Sequence, residues 1–144
     1  MGLHSTRDWN RFLLRFFIAF GFWEVISVPL RSLLFSAFYY DSSLRTFFTP
    51  VSEIQWIAPI LSDLVQVFFL GIVVTLARSS FQFGIIGGIV TGISFSIAGF
   101  IAPVFGALQF TKSLPNKILW AWVFYQSALT LVGSLIYAIR SEDE

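Results

Sequence analysis

Read along the chain, apolar residues gather into four long, continuous runs separated by short polar intervals. The runs cover about residues 12–34, 54–77, 81–108 and 118–139. A hydrocarbon core of about 30 Å is crossed by about 20 mainly apolar residues in an α-helix, and each run reaches that length. None shows the strict alternation of a transmembrane strand. The pattern predicts an all-α integral membrane protein: an antiparallel bundle of four transmembrane helices forming one domain over residues 1–144.

The polar intervals refine this picture. Loop 1, residues 35–53, is the longest, and in it Leu44, Phe47 and Phe48 recur at i, i+3, i+4 beside Arg45 and Thr46. That spacing predicts a short interfacial helix, ended by Pro50, after which Ser52 to Gln55 reads as a capping box opening the second helix. Loop 2 reduces to Arg78, Ser79 and Ser80, so helices 2 and 3 should form a tight hairpin. Loop 3 covers residues 109–117. The first run follows basic residues as a signal peptide does, but Glu24 interrupts it and no small-x-small cleavage site follows. It is expected to remain as a helix.

Composition sharpens the membrane assignment. The chain is 56% hydrophobic and 12% charged, with a mean hydropathy of +0.79, too little charge to cover a soluble surface. Its 18 Phe suit a lipid-facing surface. A net charge of +1 offers no basic patch for nucleic acid. There is no Cys and a single His, His4, in the polar N-terminal segment. That composition excludes disulfides, thiolate chemistry, Cys-based zinc sites and iron–sulfur clusters, as well as haem or chlorophyll ligated by a His within the spans. No nucleophile–base pair, metal-ligand set or phosphate loop stands out, so no catalytic residue is assigned and no cofactor is expected on the chain's own residues. A lipid or hydrophobic cofactor at its surface stays open.

Orientation is signalled by arginines. Four crossings place Arg7, Arg11, Arg15, Arg78 and Arg140 on the side of the termini, against Arg31, Arg45, Lys112 and Lys117 opposite. The first helix carries three Arg on its N-terminal flank, so the termini are expected in the cytoplasm.

The third run holds the clearest internal pattern. Gly84, Gly88, Gly92 and Ser96 fall at successive steps of four, with Gly99 beyond them. Such a face lets another helix approach closely, in first place the second or fourth helix of the same chain, in second place a homodimer partner. Pro103 is expected to kink the far end. Trp9, Trp56, Trp120, Trp122 and Tyr125 lie near predicted helix ends, where aromatic rings prefer the headgroup zone.

Ionisable residues inside the spans carry the functional interest. Glu24 and Asp63 both lie about 14–15 Å from the loop 1 face, and Gln126 about 12 Å from it, at 1.5 Å per residue. A polar layer across the bundle follows from that spacing, and Gln66 and Thr130 continue it by about one helical turn. Arg31 lies seven residues after Glu24, on its face, and is expected to reach back to it. Arg15 sits near a helix end and snorkels. The layer either fixes the register of the bundle or carries a proton, a cation or a polar head group.

A Glu in the first helix (Glu24), an Asp early in the second (Asp63), a Gly-rich third helix and an aromatic fourth ending in Tyr137 and Arg140 together resemble a loose family of small four-helix bacterial membrane proteins. The resemblance implies a four-helix count and a bacterial inner membrane, and it brings no activity with it. Three functions are compatible with these features. The leading expectation is a non-catalytic accessory or scaffold subunit, partnered by membrane lipids and other integral membrane subunits. The alternatives are a small oligomeric carrier or channel-like protein using Glu24 and Asp63, and a lipid-, quinone- or pigment-binding protein.

Overall fold

The computed structural model describes residues 6–50, 53, 55, 57–81, 84–110 and 115–139. Among them the chain forms α1 (Thr6–Tyr40), a 3-10 turn (Arg45–Phe47), α2 (Ile57–Phe81), α3 (Gly84–Ser96), a π turn (Ile97–Ile101), α4 (Ala102–Phe110) and α5 (Asn116–Ala138), with no strand. The π turn joins α3 and α4 into one rod. The four rods are each long and apolar enough to cross a membrane.

Their ends differ from the sequence-based expectation for local reasons. α1 continues past residue 34 to Tyr40 because residues 35–40 contain no helix breaker. Asp41 stops it. Its carboxylate accepts from the Ser43 backbone N–H at 2.8 Å and the Ser43 hydroxyl at 2.6 Å, an Asx-type turn. The expected interfacial helix at 44–48 is only the three-residue 3-10 turn, with Phe48 set 4.6 Å from the Tyr39 ring. The capping box at residues 52–55 lies largely outside the described residues, as do Trp56, Lys112 and Arg140. α2 takes in Arg78, Ser79 and Ser80, expected as loop 2, since polar residues alone do not end a helix. Gly84 opens α3 with φ at +52°, a left-handed conformation that a residue without Cβ adopts freely.

Within the third rod, Pro103 has no N–H to donate to the Gly99 carbonyl, so an α-helical register cannot run through unchanged. The ladder widens instead, and the Ala102 N–H donates to the Ile97 carbonyl, five residues back. The expected disturbance at Pro103 thus takes the form of a π turn.

α5 is the spine of the bundle. It packs against α1, α2 and α3, whereas α1 and α3 do not meet among the described residues. It runs antiparallel to α1, with Phe12 beside Tyr137 and Phe35 beside Tyr125. It is antiparallel to the third rod as well, with Gly92 facing Ser134 and Phe105 beside Trp120. The main core is built from Phe12, Phe16, Ala19 and Trp23 of α1, Val67, Leu70 and Val74 of α2, and Tyr125, Leu129 and Tyr137 of α5.

Candidate functional site: a polar layer and a lateral cleft

The α1 core face repeats at helical spacing through Phe12, Phe16, Ala19, Trp23 and Ser27. Glu24 and Arg31 stand beside that face. Ser27 is buried, its hydroxyl donating to the Glu24 carbonyl at 3.0 Å. From α2, Asp63 points inward with its side chain 7% exposed. Arg31 answers it: Nη2 lies 3.8 Å from Asp63 Oδ2 and donates to the Tyr125 hydroxyl at 3.0 Å. The guanidinium carbon is 5.6 Å from the Tyr125 ring centroid, within cation–π range.

This differs from the expected pairing of Arg31 with Glu24. Two turns of α1, about 10 Å, separate those two residues, whereas Asp63 is delivered from the neighbouring helix to within ion-pair distance. Glu24 nevertheless lies within electrostatic reach of both Asp63 and Arg31. The Trp23 indole N–H also acts on Asp63, from outside hydrogen-bonding geometry.

Several buried polar atoms here have no hydrogen-bond partner among the described residues: Trp23 Nε1 and Glu24 Oε1 on α1, and Gln126 Oε1, Ser127 Oγ and Thr130 Oγ1 on α5. All five belong to the two facing helices α1 and α5. The set contains donors and acceptors together with a carboxyl close to a charge pair. Chemically it can lock helix register or hand a proton between neighbours. Among the described residues, no group of His, Cys, Asp or Glu could hold a metal ion.

Two of the expected polar residues fall on a different surface. Gln66 and Gln126 line a shallow, wide-open cleft of about 630 Å³ on the seam between α2 and α5, together with Ser62, Leu61, Val65 and Trp122. Thr130, one turn after Gln126, is fully buried.

The small-residue face divides as well. Gly88, Gly92 and Ser96 are buried against α5. A Cβ added at Gly88 would meet the Ala138 Cβ and the Ser134 carbonyl oxygen, and one at Gly92 would meet the Ser134 hydroxyl. Among the described residues, a Cβ added at Gly84 would meet nothing within 4 Å, and one at Gly99 would meet Phe95 of its own rod.

Sequence reasoning passed over Trp23 and misplaced Tyr125. Tyr125 was expected at the membrane interface, but it is buried and holds Arg31. The available signal was periodic: Tyr125, Leu129, Gly133 and Tyr137 recur at steps of four and are all buried. Tyr137 donates to the Val67 carbonyl at 3.1 Å, its ring resting on Gly71. Compared with known proteins, the chain matches no family model, no curated protein and no solved structure.

Proposed function

We propose that this protein is a non-catalytic accessory or scaffold subunit of a larger assembly in a bacterial inner membrane. The observation that carries the reading is a second run of small residues, on the outward side of the third rod. Ser94, Ala98, Ala102 and Gly106 follow one another at steps of four and are all exposed. A Cβ added at Gly106 would touch nothing within 4 Å. Small outward residues gain little from lipid, but they let another helix backbone come close. The inward charges support the same reading, since Arg31, Asp63 and Tyr125 engage one another.

Purification from native membranes in mild detergent tests the proposal. Defined integral membrane partners at fixed stoichiometry are the expected result. A lone, monodisperse oligomer of this chain would reject the subunit reading. It would favour a small oligomeric carrier or channel, for which the buried, unpartnered Glu24 Oε1 beside Asp63 is the supporting observation.

The proposed orientation places both termini in the cytoplasm. In this Cys-free chain, single cysteines at Ser43 and Ser141 give a direct check with an impermeant thiol reagent. Ser43→Cys is expected to label from the periplasmic side and Ser141→Cys only after the membrane is opened. Labelling of both from one side would overturn a four-crossing topology.

A further inference from the structure

The cleft between α2 and α5 arises because the third rod changes partners along its length. α3 packs on both α2 and α5, but beyond the π turn α4 packs on α5 alone. Among the described residues, the first half of α2 therefore lacks the neighbour that covers its second half. Trp122 closes the α4 side of the opening, its ring set edge-on to Phe100 of the π turn at 5.5 Å.

Three features of the cleft define what would fit it. Among the described residues, its polar lining consists of Ser62, Gln66 and Gln126, with no charged side chain. Leu61, Val65 and the Trp122 ring give it apolar walls beside those polar groups. Ser62 and Gln66 lie about 8–14 Å into α2, and Gln126 about 15 Å into α5, counted at 1.5 Å per residue. The polar end of the cleft thus sits at hydrocarbon depth while its mouth opens sideways. A phosphate headgroup drawn to that depth would meet no cation among these lining residues and would lose its hydration. A neutral hydroxyl would meet three hydrogen-bonding partners instead.

We infer that this cleft binds a neutral, tail-bearing lipid through a hydroxyl held by the polar side chains that line it, Gln126 among them. Gln66 and Ser62 act on the same head as donors. Leu61, Val65 and the Trp122 ring flank the first carbons of the tail, which continues out through the open side. A volume of about 630 Å³ accommodates such a head and its adjoining carbons. Two kinds of membrane molecule share this chemistry, the diacylglycerols and the quinols. The inference does not depend on the subunit reading.

The test uses the whole chain in phosphatidylcholine nanodiscs containing dioleoylglycerol, decylubiquinol or phosphatidylglycerol, with retained lipid counted by native mass spectrometry. One molecule of dioleoylglycerol or of decylubiquinol per chain is expected, and the arm that binds identifies the source. Gln126→Leu should weaken retention at least tenfold, while Gln109→Leu on the exposed side of α4 should leave it unchanged. Helicity and elution volume report folding. If Gln126→Leu does not fold, Ser62→Ala combined with Gln66→Leu, on the opposite wall, must produce the same loss. The inference is overturned if neither neutral lipid is retained, if the folded cleft variants retain it as the wild type does, or if phosphatidylglycerol is held equally well.

Discussion

On its two sides, α5 is joined to its neighbours by opposite chemistry. Towards α3 the contact is made of almost nothing: Gly88 and Gly92 present bare backbone to Ser134 and Ala138, and Ser96 turns its hydroxyl onto the Gly92 carbonyl of its own helix at 2.8 Å. Towards α1 and α2 the contact is crowded with large and polar groups, namely Trp23, Arg31, Asp63, Tyr125 and Tyr137. Lipid tails are as apolar as Leu, so greasy contact alone gives helices little reason to associate. The molecule uses both remaining means, close backbone approach on one side and polar attachment on the other. The first fails when something is added, the second when something is removed.

The largest expected effect follows from that asymmetry. Gly92→Leu should force α3 off α5 and cost about 3 kcal/mol or more, the upper end for overpacking, seen as early melting in detergent by circular dichroism. Gly106→Leu, on the open side of the same rod, should leave the melting temperature unchanged. Equal losses in the two variants would show that the seam is not held by close approach.

A smaller effect is expected on the polar side. Arg31→Met leaves Asp63 inside the bundle without its cation and should cost about 2 kcal/mol, discounted from the range for a fully buried pair because Arg31 is 42% exposed. Adding Asp63→Leu should recover most of that loss in the same melting experiment. If single and double variants melt together, the ion pair contributes nothing and the crowding alone holds this side.

The smallest effect is at the tip of α1, where the Asp41 side chain closes the rod. The Ser43 hydroxyl, and then its N–H, hold the Asp41 carboxyl below its usual range. A lowered native value means that the turn is fully supported above the ordinary carboxylate range and weakens as pH falls through the lowered value. Hydrogen exchange at the Ser43 amide, corrected for intrinsic rate, should lose protection on acidification. The Asp41→Ala variant should show the reduced protection at every pH, and a wild-type profile flat in pH would remove Asp41 from this role.

The four rods were legible because each apolar run is long and uninterrupted, and the charges within those runs pointed to Glu24, Arg31 and Asp63. Helix ends were less legible. Arg78, Ser79 and Ser80 look like a loop by polarity, yet α2 runs through them to Phe81, and Gly84 opens α3 with a positive φ. The site was legible in its depth but not in its pairings, because sequence spacing orders residues along one helix and says little about what a neighbouring helix delivers. Hence Arg31 was matched with Glu24, two turns away, when Asp63 arrives from α2. The central place of α5 left a trace that hydropathy alone does not interpret. Its mean of 1.4 is the lowest of the four spans, and the lowering comes partly from Thr130 and Ser134, which face inward.

That central place has a consequence for how the molecule is made. α5 is the last of the four helices to leave the ribosome, yet it supplies the surface on which both α1 and α3 rest. As the first three enter the bilayer, α1 and α3 have no contact with each other among the described residues, and Arg31 has Asp63 beside it but lacks the Tyr125 hydroxyl that also accepts from it. Before the fourth helix arrives, the first three therefore have only the α1–α2 and α2–α3 contacts to hold them, and most of the packing of the bundle is added last.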